Sequence, residues 1–390
     1  MQAIRIPYWR LSGFYLFYFA TLGSFLPFWS LFLEATGFNP VEIGELSALL
    51  VGTKIIAPNL WGWIADHTGR SMRIIRIASL AAACLFVGFL MDNSYLWFAW
   101  VTVAFSFFWN AALPQFEAVT LFHLRQQSHR YSQIRLWGSV GFIVAVVGIG
   151  RLLESYDIAS LPYVIIALLV SIWLISLLTP EAAIMPHGDD QVGIFGIIGR
   201  SEVLAFFCVY LLLQLAHGPY YVFFSIYLHD FQYSTSIIGF LWALGVIAEI
   251  CLFLVMRRLL KLFSLRQILL ASILLSVGRW LLIAWKADHL ALLLFAQLLH
   301  AATFGAAHVV AIHLVHDYFG SRHQGKGQAL YSSLSFGLGG MLGSLYSGYL
   351  WESYGPQVVY SLAALASSIA FIFAAIWIGR ARKQEKAAII

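Results

Sequence analysis

Several ionisable residues stand where a hydrophobic chain should not carry them. Lys54 lies twelve residues before Asp66 in an otherwise apolar run, which is about 18 Å along a helix. Glu249, Arg279, Glu117 and Arg135 sit in or at the ends of similar runs, as do His217, His300 and His308. An ion in hydrocarbon costs several kcal/mol, so such groups face a polar cavity and mark a path for solute or ions. Lys54 is too deep to snorkel to the surface. A lysine or arginine can hold an anion, the arginine bidentately on a carboxylate. A carboxyl group can carry a proton, and histidine titrates near neutral pH. Bland readings stand beside these. Glu117 and Arg135 could simply pair at a helix end, Arg279 could neutralise a buried acid, and Lys54 and Glu249 could each pair locally. A lone histidine on an apolar helix is often a satisfied core residue; His308 is read that way, while both readings stand for His300 and His217. His313, His316 and Asp317 have a spacing that hints at a metal, but a solvated helix end accounts for them. No metal or cofactor is expected, and no G-x-x-x-x-G-K-[ST] loop supports use of ATP.

The elements that position these residues follow from composition. The chain is 61% hydrophobic and 11% charged, with a mean hydropathy of +0.82. A soluble fold is about half apolar and a quarter charged, so lipid is the solvent here. With about 20 apolar residues needed per crossing, the runs give twelve transmembrane helices: 10–34, 40–64, 72–91, 94–122, 134–153, 158–179, 202–228, 235–256, 264–286, 289–316, 327–350 and 355–379. Asn39-Pro40, Asp92-Asn93, Gly320-Ser321 and Gly355-Pro356 supply turn signals between them. The first run follows Arg5 and Arg10; it is too long for a signal peptide and is read as a span. Of the 23 Lys and Arg, only Arg151 and Lys286 fall in the outer loops if the N-terminus is inside. That bias puts both termini in the cytoplasm, and the net charge of +5 carries no implication of nucleic acid. Cys84, Cys208 and Cys251 lie in apolar runs and are read as small core residues without a disulfide.

The chain also repeats. A shift of 195 residues, half of the 390, places Gly23, Phe28, Ser30, Leu33, Ile43 and Gly44 on Gly218, Phe223, Ser225, Leu228, Ile238 and Gly239. The expected architecture is therefore all-α, with two pseudo-symmetric six-helix bundles: 1–179, a cytoplasmic linker 180–201 with Pro180 and Pro186, and 202–390 with a basic tail. Parallel repeats of this kind enclose a midplane site and work by rocking. The same shift carries Lys54 onto Glu249. A cation and an anion at equivalent depth on opposite walls could interact, directly or through solute and water.

The loop after the second span reads Gly62-Trp-Ile-Ala-Asp66-His67-Thr-Gly69-Arg70-Ser71. It resembles the G-x-x-x-D-(R/K)-x-G-R-(K/R) signature of the major facilitator superfamily. There Gly62, Asp66, Gly69 and Arg70 imply a cytoplasmic latch; His67 and Ser71 depart from the usual basic residues. Asn110-Ala-Ala-Leu-Pro114-Gln-Phe-Glu117, followed by Arg135-Leu-Trp137-Gly138, resembles the lactose permease group, in which such a Glu and Arg grip the substrate. Thr303 stands where that group has a coupling carboxylate. The chain is more similar still to the 3-phenylpropionate permease subfamily, through Phe25-Leu-Pro27-Phe28-Trp29-Ser30, Ala216-His217, Tyr220-Tyr221, Leu241-Trp242, Arg279-Trp280 and Leu299-His300.

The resemblance implies a monomeric multi-pass permease of the bacterial cytoplasmic membrane, not an enzyme, taking a small-molecule solute together with protons. The expected solute contacts are Lys54, Glu117, Arg135 and Arg279, with Trp29, Tyr220, Tyr221 and Trp242 to stack on an aromatic ring. Glu249, His300 and His217 are the expected proton carriers. An aromatic or hydrophobic carboxylate such as 3-phenylpropionate suits the cations; a sugar or nucleoside suits Glu117 and Arg135.

Overall fold

Turn chemistry sets the helix ends. Asn39 accepts from the Glu42 N–H while the Glu42 carboxylate accepts from the Asn39 N–H, both at 3.0 Å, with Pro40 as the first helical residue. This capping box satisfies two orphan donors at once, and Ser264 with Gln267 repeats it. The protein is seen in a computed structural model that describes residues 6–124, 127, 130–181 and 194–379. Arg5, Arg125, linker residues 182–193 and the tail 380–390 lie outside the described residues.

Among the described residues the regular backbone is entirely helical. The spans of the first half are α1 (Tyr8–Thr36), α2 (Pro40–Thr68), α3 (Ser71–Leu90), α4 (Tyr95–Leu124), α5 (Tyr131–Ser155) and α6 (Ile158–Leu178). Those of the second begin with α7 (Ser201–Asp230), α8 (Thr235–Leu262), α9 (Leu265–Lys286) and α10 (Leu290–Gly320). Helix then runs from Arg322 to Trp377, 56 residues, or about 84 Å, far more than the roughly 30 Å of a bilayer core. Gly355 breaks it with φ 79° and ψ 164°, giving α11 (322–354) and α12 (356–377). The twelve spans put both described chain ends on one side. One expected loop is absent: between α10 and α11 only Gly320 leaves helical geometry, with φ 62° and ψ 177°.

Each half packs largely on itself. In the first, α1 lies against α5 and α6, and α3 against α4 and α6. In the second, Gly218 of α7 meets Gly343 of α11 backbone to backbone, and Tyr360 of α12 donates to the Pro219 carbonyl at 3.2 Å. An arginine closes each bundle at the end carrying the termini. Arg76 of α3 donates to the Ser176 and Thr179 carbonyls at 3.2 and 2.8 Å, and Arg266 of α9 to the Ala375 and Ile378 carbonyls. The acceptors are orphan carbonyls at helix C-termini, where a cation is favoured. Arg76→Ala and Arg266→Ala should each cost about 2 kcal/mol through two charge-assisted hydrogen bonds, read as a fall of a few degrees in thermal unfolding in detergent. An unchanged melt would show that solvent replaces both bonds.

The cysteines depart from expectation. Cys84 and Cys251 are exposed on the outer faces of α3 and α8, Cys208 is half-buried, and all three are free. The surroundings of Cys251 include Phe253, Leu254 and Val255, 47%, 80% and 43% exposed. In a lipid-solvated bundle an apolar face is as readily an outside as an inside.

Candidate functional site

The two halves meet along three seams. On the first, Gly44 of α2 lies against Gly348 of α11, and farther along α2 Asn59 donates to Ser333 at 3.3 Å. On the second, Gly150 of α5 accepts from Thr235 of α8 at 2.7 Å. On the third, α1 touches α7. The first two seams are tightest at the end away from the termini. There the Glu45 carboxylate accepts from Tyr95 of its own half at 2.5 Å and from Tyr349 of the other at 2.6 Å. At the opposite end Glu117 and Arg135 keep 39% and 32% of their side-chain surface exposed. The cleft between the halves is closed at one end and open at the end that carries the termini.

Lys54 sits on the cleft side of α2. Ile56, Leu60 and Trp63 form the exposed face of that helix, and Lys54 lies opposite on helical spacing. Its neighbours contact flanking helices: Ile55 meets α11 at Gly337, and Thr53 takes a hydrogen bond from Asn110 at 2.8 Å and gives one to Ser106 at 3.0 Å, both on α4. Lys54 itself makes no ion pair or hydrogen bond among the described residues. Toward the open end, Arg135 and Glu117 stand 3.8 Å apart. Tyr131 donates to Glu117 at 3.3 Å, and the guanidinium lies 4.0 Å from the ring centre of Phe19.

The second half holds a denser polar cluster. His300 Nε2 and Glu249 Oε1 are 3.1 Å apart, nearly buried. Arg279 is fully buried with no carboxylate partner among the described residues: it donates to the Ala296 carbonyl at 3.0 Å and to Thr303 at 3.3 Å. Its guanidinium carbon lies 4.3 Å from the Tyr220 ring centre and 4.6 Å from that of Trp280, so aromatic faces supply much of its stabilisation. Tyr220 donates to Gln297 Oε1 at 2.9 Å, and His217 Nδ1 is 2.7 Å from the Leu213 carbonyl. Arg279 Nη2, Gln297 Nε2, His300 Nδ1 and His217 Nε2 are buried without protein partners among the described residues. A cluster so incompletely satisfied is costly unless its function uses the free valences.

The structure brings together some of the residues expected to act together and separates others. Glu249, His300, His217, Arg279 and Tyr220 form one cluster. Lys54 and Glu249 are not in contact; the acid has a partner within its own half and the lysine has none. Of the aromatics expected to stack on a solute, Trp29 is buried among Phe25, Phe32, Phe86 and Phe89, and Trp242 is buried with Nε1 donating to Ser225 at 3.1 Å. Tyr220 is sealed over Arg279, and only Tyr221 is half-exposed. On a helix that is apolar all round, sequence does not distinguish core from cleft. In the loop motif, Gly69 adopts the left-handed φ of 63° that a side chain would resist. Asp66 and Arg70 are exposed, and neither makes an ion pair among the described residues. His313 and His316 engage the Val309 carbonyl and Gln324. Sequence reasoning gave Asn110 only as part of the motif around Glu117 and missed Ser106, Glu45, Gln297 and Tyr131. Gln297 alone carried a local signal, a polar residue three before His300.

Comparison with known proteins agrees with this arrangement. The profile of the MFS_1-like family matches residues 8–362. A probable 3-phenylpropionic acid transporter of Escherichia coli K12 is 28% identical over 373 residues, covering 93% of this chain and 96% of that protein. The maltose permease of Geobacillus stearothermophilus is 29% identical, covering 91% of each. Among solved structures, a mutant of the nucleoside transporter NupG superposes with a TM-score of 0.86 at 19% identity, over 94% of this chain and 99% of that one.

Proposed function

The chain belongs to the MFS_1-like family, and from that premise we propose that this multi-pass membrane transporter is a proton symporter for a small aromatic or hydrophobic carboxylate such as 3-phenylpropionate. The bundles 1–179 and 202–390 rock about the cleft, with both termini cytoplasmic, which makes the conformation seen here open to the inside. The protein works as a monomer in the bacterial cytoplasmic membrane. Lys54 is the observation that carries the carboxylate reading: a cleft-facing cation near mid-span, with no ion pair or hydrogen bond among the described residues, needs an anion. Glu249 is the proton carrier, neutral when the solute site is filled and charged when it is empty, with His300 as its buried partner. The relationship to a probable 3-phenylpropionic acid transporter supports the solute class.

A second reading, a sugar or nucleoside as solute, is favoured by Glu117 and Arg135. They stand 3.8 Å apart and partly exposed at the open end, where a carboxylate and a guanidinium can accept from and donate to hydroxyl groups. The test is purified protein in liposomes loaded with a pH-sensitive dye. Adding 3-phenylpropionate should acidify the lumen faster than in protein-free vesicles, which correct for leakage of the neutral acid; maltose and uridine should not. Acidification only with maltose or uridine would replace the first reading by the second.

Lys54→Gln should raise KM for the carboxylate about 10-fold or more, the loss of one cation–anion contact, with an unchanged melting temperature. In a cycle with Glu249→Gln, losses that add without remainder would show the two sites to be uncoupled.

A further inference from the structure

Glu249 pairs with His300 and rests on Gly305, which stands between His300 and His308 on one helix, and the reading above uses only His300. His300, Phe304 and His308 recur every four residues on α10, with rings nearly parallel: 10° between the first two and 9° between the second two. Gly305 leaves the helix bare beside them. A methyl group there would lie 3.4 Å from Glu249 Cγ, in ordinary contact, so the carboxylate stem rests on Gly305 with its head turned to His300. Rotation about the side-chain bonds would swing that head from His300 toward His308. The backbone here, Ala301–Ala306, is a π-helical turn, a geometry that recurs at functional sites.

His308 differs from His300 in its surroundings. It is half-buried rather than buried, and it lies two helical turns nearer the open end of the cleft. Its Nδ1 is 3.0 Å from Tyr331 Oη of α11. The charged or titratable groups that face it among the described residues are Glu249 from α8, Tyr331 from α11 and, across the cleft, Arg135 from α5.

We propose that His308, held by Tyr331, is the inner-side proton station of Glu249. This rests on the symport reading. With Nδ1–H donating to Tyr331 Oη, neutral His308 presents Nε2 as a base. The protonated Glu249 carboxyl, turned from His300, gives its proton to Nε2, leaving a carboxylate and an imidazolium. The imidazolium releases the Nε2 proton to the solution in the open cleft and returns to its starting tautomer.

The experiment compares wild type, His308→Gln and Tyr331→Phe in liposomes, driven by whichever of 3-phenylpropionate, maltose and uridine the wild type transports. Two rates are read: net movement with its proton flux, and one-for-one exchange of labelled solute, which needs no proton release. His308→Gln should slow net movement about 100-fold, the scale of a lost proton-transfer group, and flatten its dependence on inner pH, while exchange falls far less. Tyr331→Phe should shift the same pH profile with a smaller loss. Net movement at the wild-type rate in His308→Gln, or equal loss of both rates in both variants, would overturn the proposal. A wild-type protein that moves solute without protons would overturn the symport reading and this inference with it.

Discussion

On the proposed symport mechanism, Glu249→Gln is expected to abolish uphill uptake while leaving exchange of solute across the bilayer in place. The carboxylate sits 3.1 Å from His300 in a nearly dry pocket, with its stem on the bare face at Gly305. Glutamine matches it in size and keeps a hydrogen-bonding head, so packing is preserved. It cannot release a proton, which leaves the filled, neutral form as the only one available. Filled carriers can still reorient with solute bound, whereas empty return after proton loss cannot occur. Accumulation against a gradient should fall about 100-fold, the scale of a lost proton-transfer group. Counterflow of labelled solute should stay within about threefold, because binding is spared. Accumulation by the variant at half the wild-type level or better would remove Glu249 from the coupling step.

Gly44→Trp should be the most disruptive single change at the closed end. Even a methyl carbon at Gly44 would lie 2.7 Å from Gly348 Cα and 2.9 Å from the Ser344 carbonyl oxygen, both backbone atoms that cannot rotate away. An indole can be accommodated only by parting α2 from α11. Overpacking costs about 1–3 kcal/mol, and in a protein with a second conformation that energy becomes a bias toward the state in which the seam is open. About 3 kcal/mol is a shift of roughly 150-fold in the ratio of the two states. Opening also separates Glu45 from Tyr349, so their hydrogen bond across this seam is lost together with the backbone contact. Distances between spin labels at the ends of α2 and α11 should lengthen, and net transport should drop by at least about 10-fold because the cycle cannot close. Unchanged distances with full transport would mean that the seam yields without rocking.

Different layers of the structure are legible in the sequence to different degrees. Hydropathy gave the spans, because each must bury its own backbone polar groups in lipid, and Gly355-Pro356 fell where the last two helices divide. The helix ends were less legible: α2 and α8 continue to Thr68 and Leu262, past the apolar runs, since a helix need not stop where hydrocarbon does. Lys54 and Glu249 stood out by charge alone. The partner of Glu249 did not, because His300 lies 51 positions away on another helix, and the repeat pointed to Lys54 instead. The burial of Trp29 and Trp242 is not legible in the sequence for a physical reason: lipid, core and cleft wall all accept an aromatic ring, so residue type does not choose among them. The π-helical turns at Ala301–Ala306 and Ser333–Gly339 leave no compositional mark.

The placement of the three thiols has a practical consequence. A water-soluble maleimide reacts with a hydrated thiolate, and Cys84 and Cys251 lie on outward apolar faces with no disulfide to break. The native protein should therefore be nearly silent to charged labelling reagents, so a single cysteine introduced at position 54 or 308 would report solvent entry into the cleft against a blank background, with no need to remove the others first.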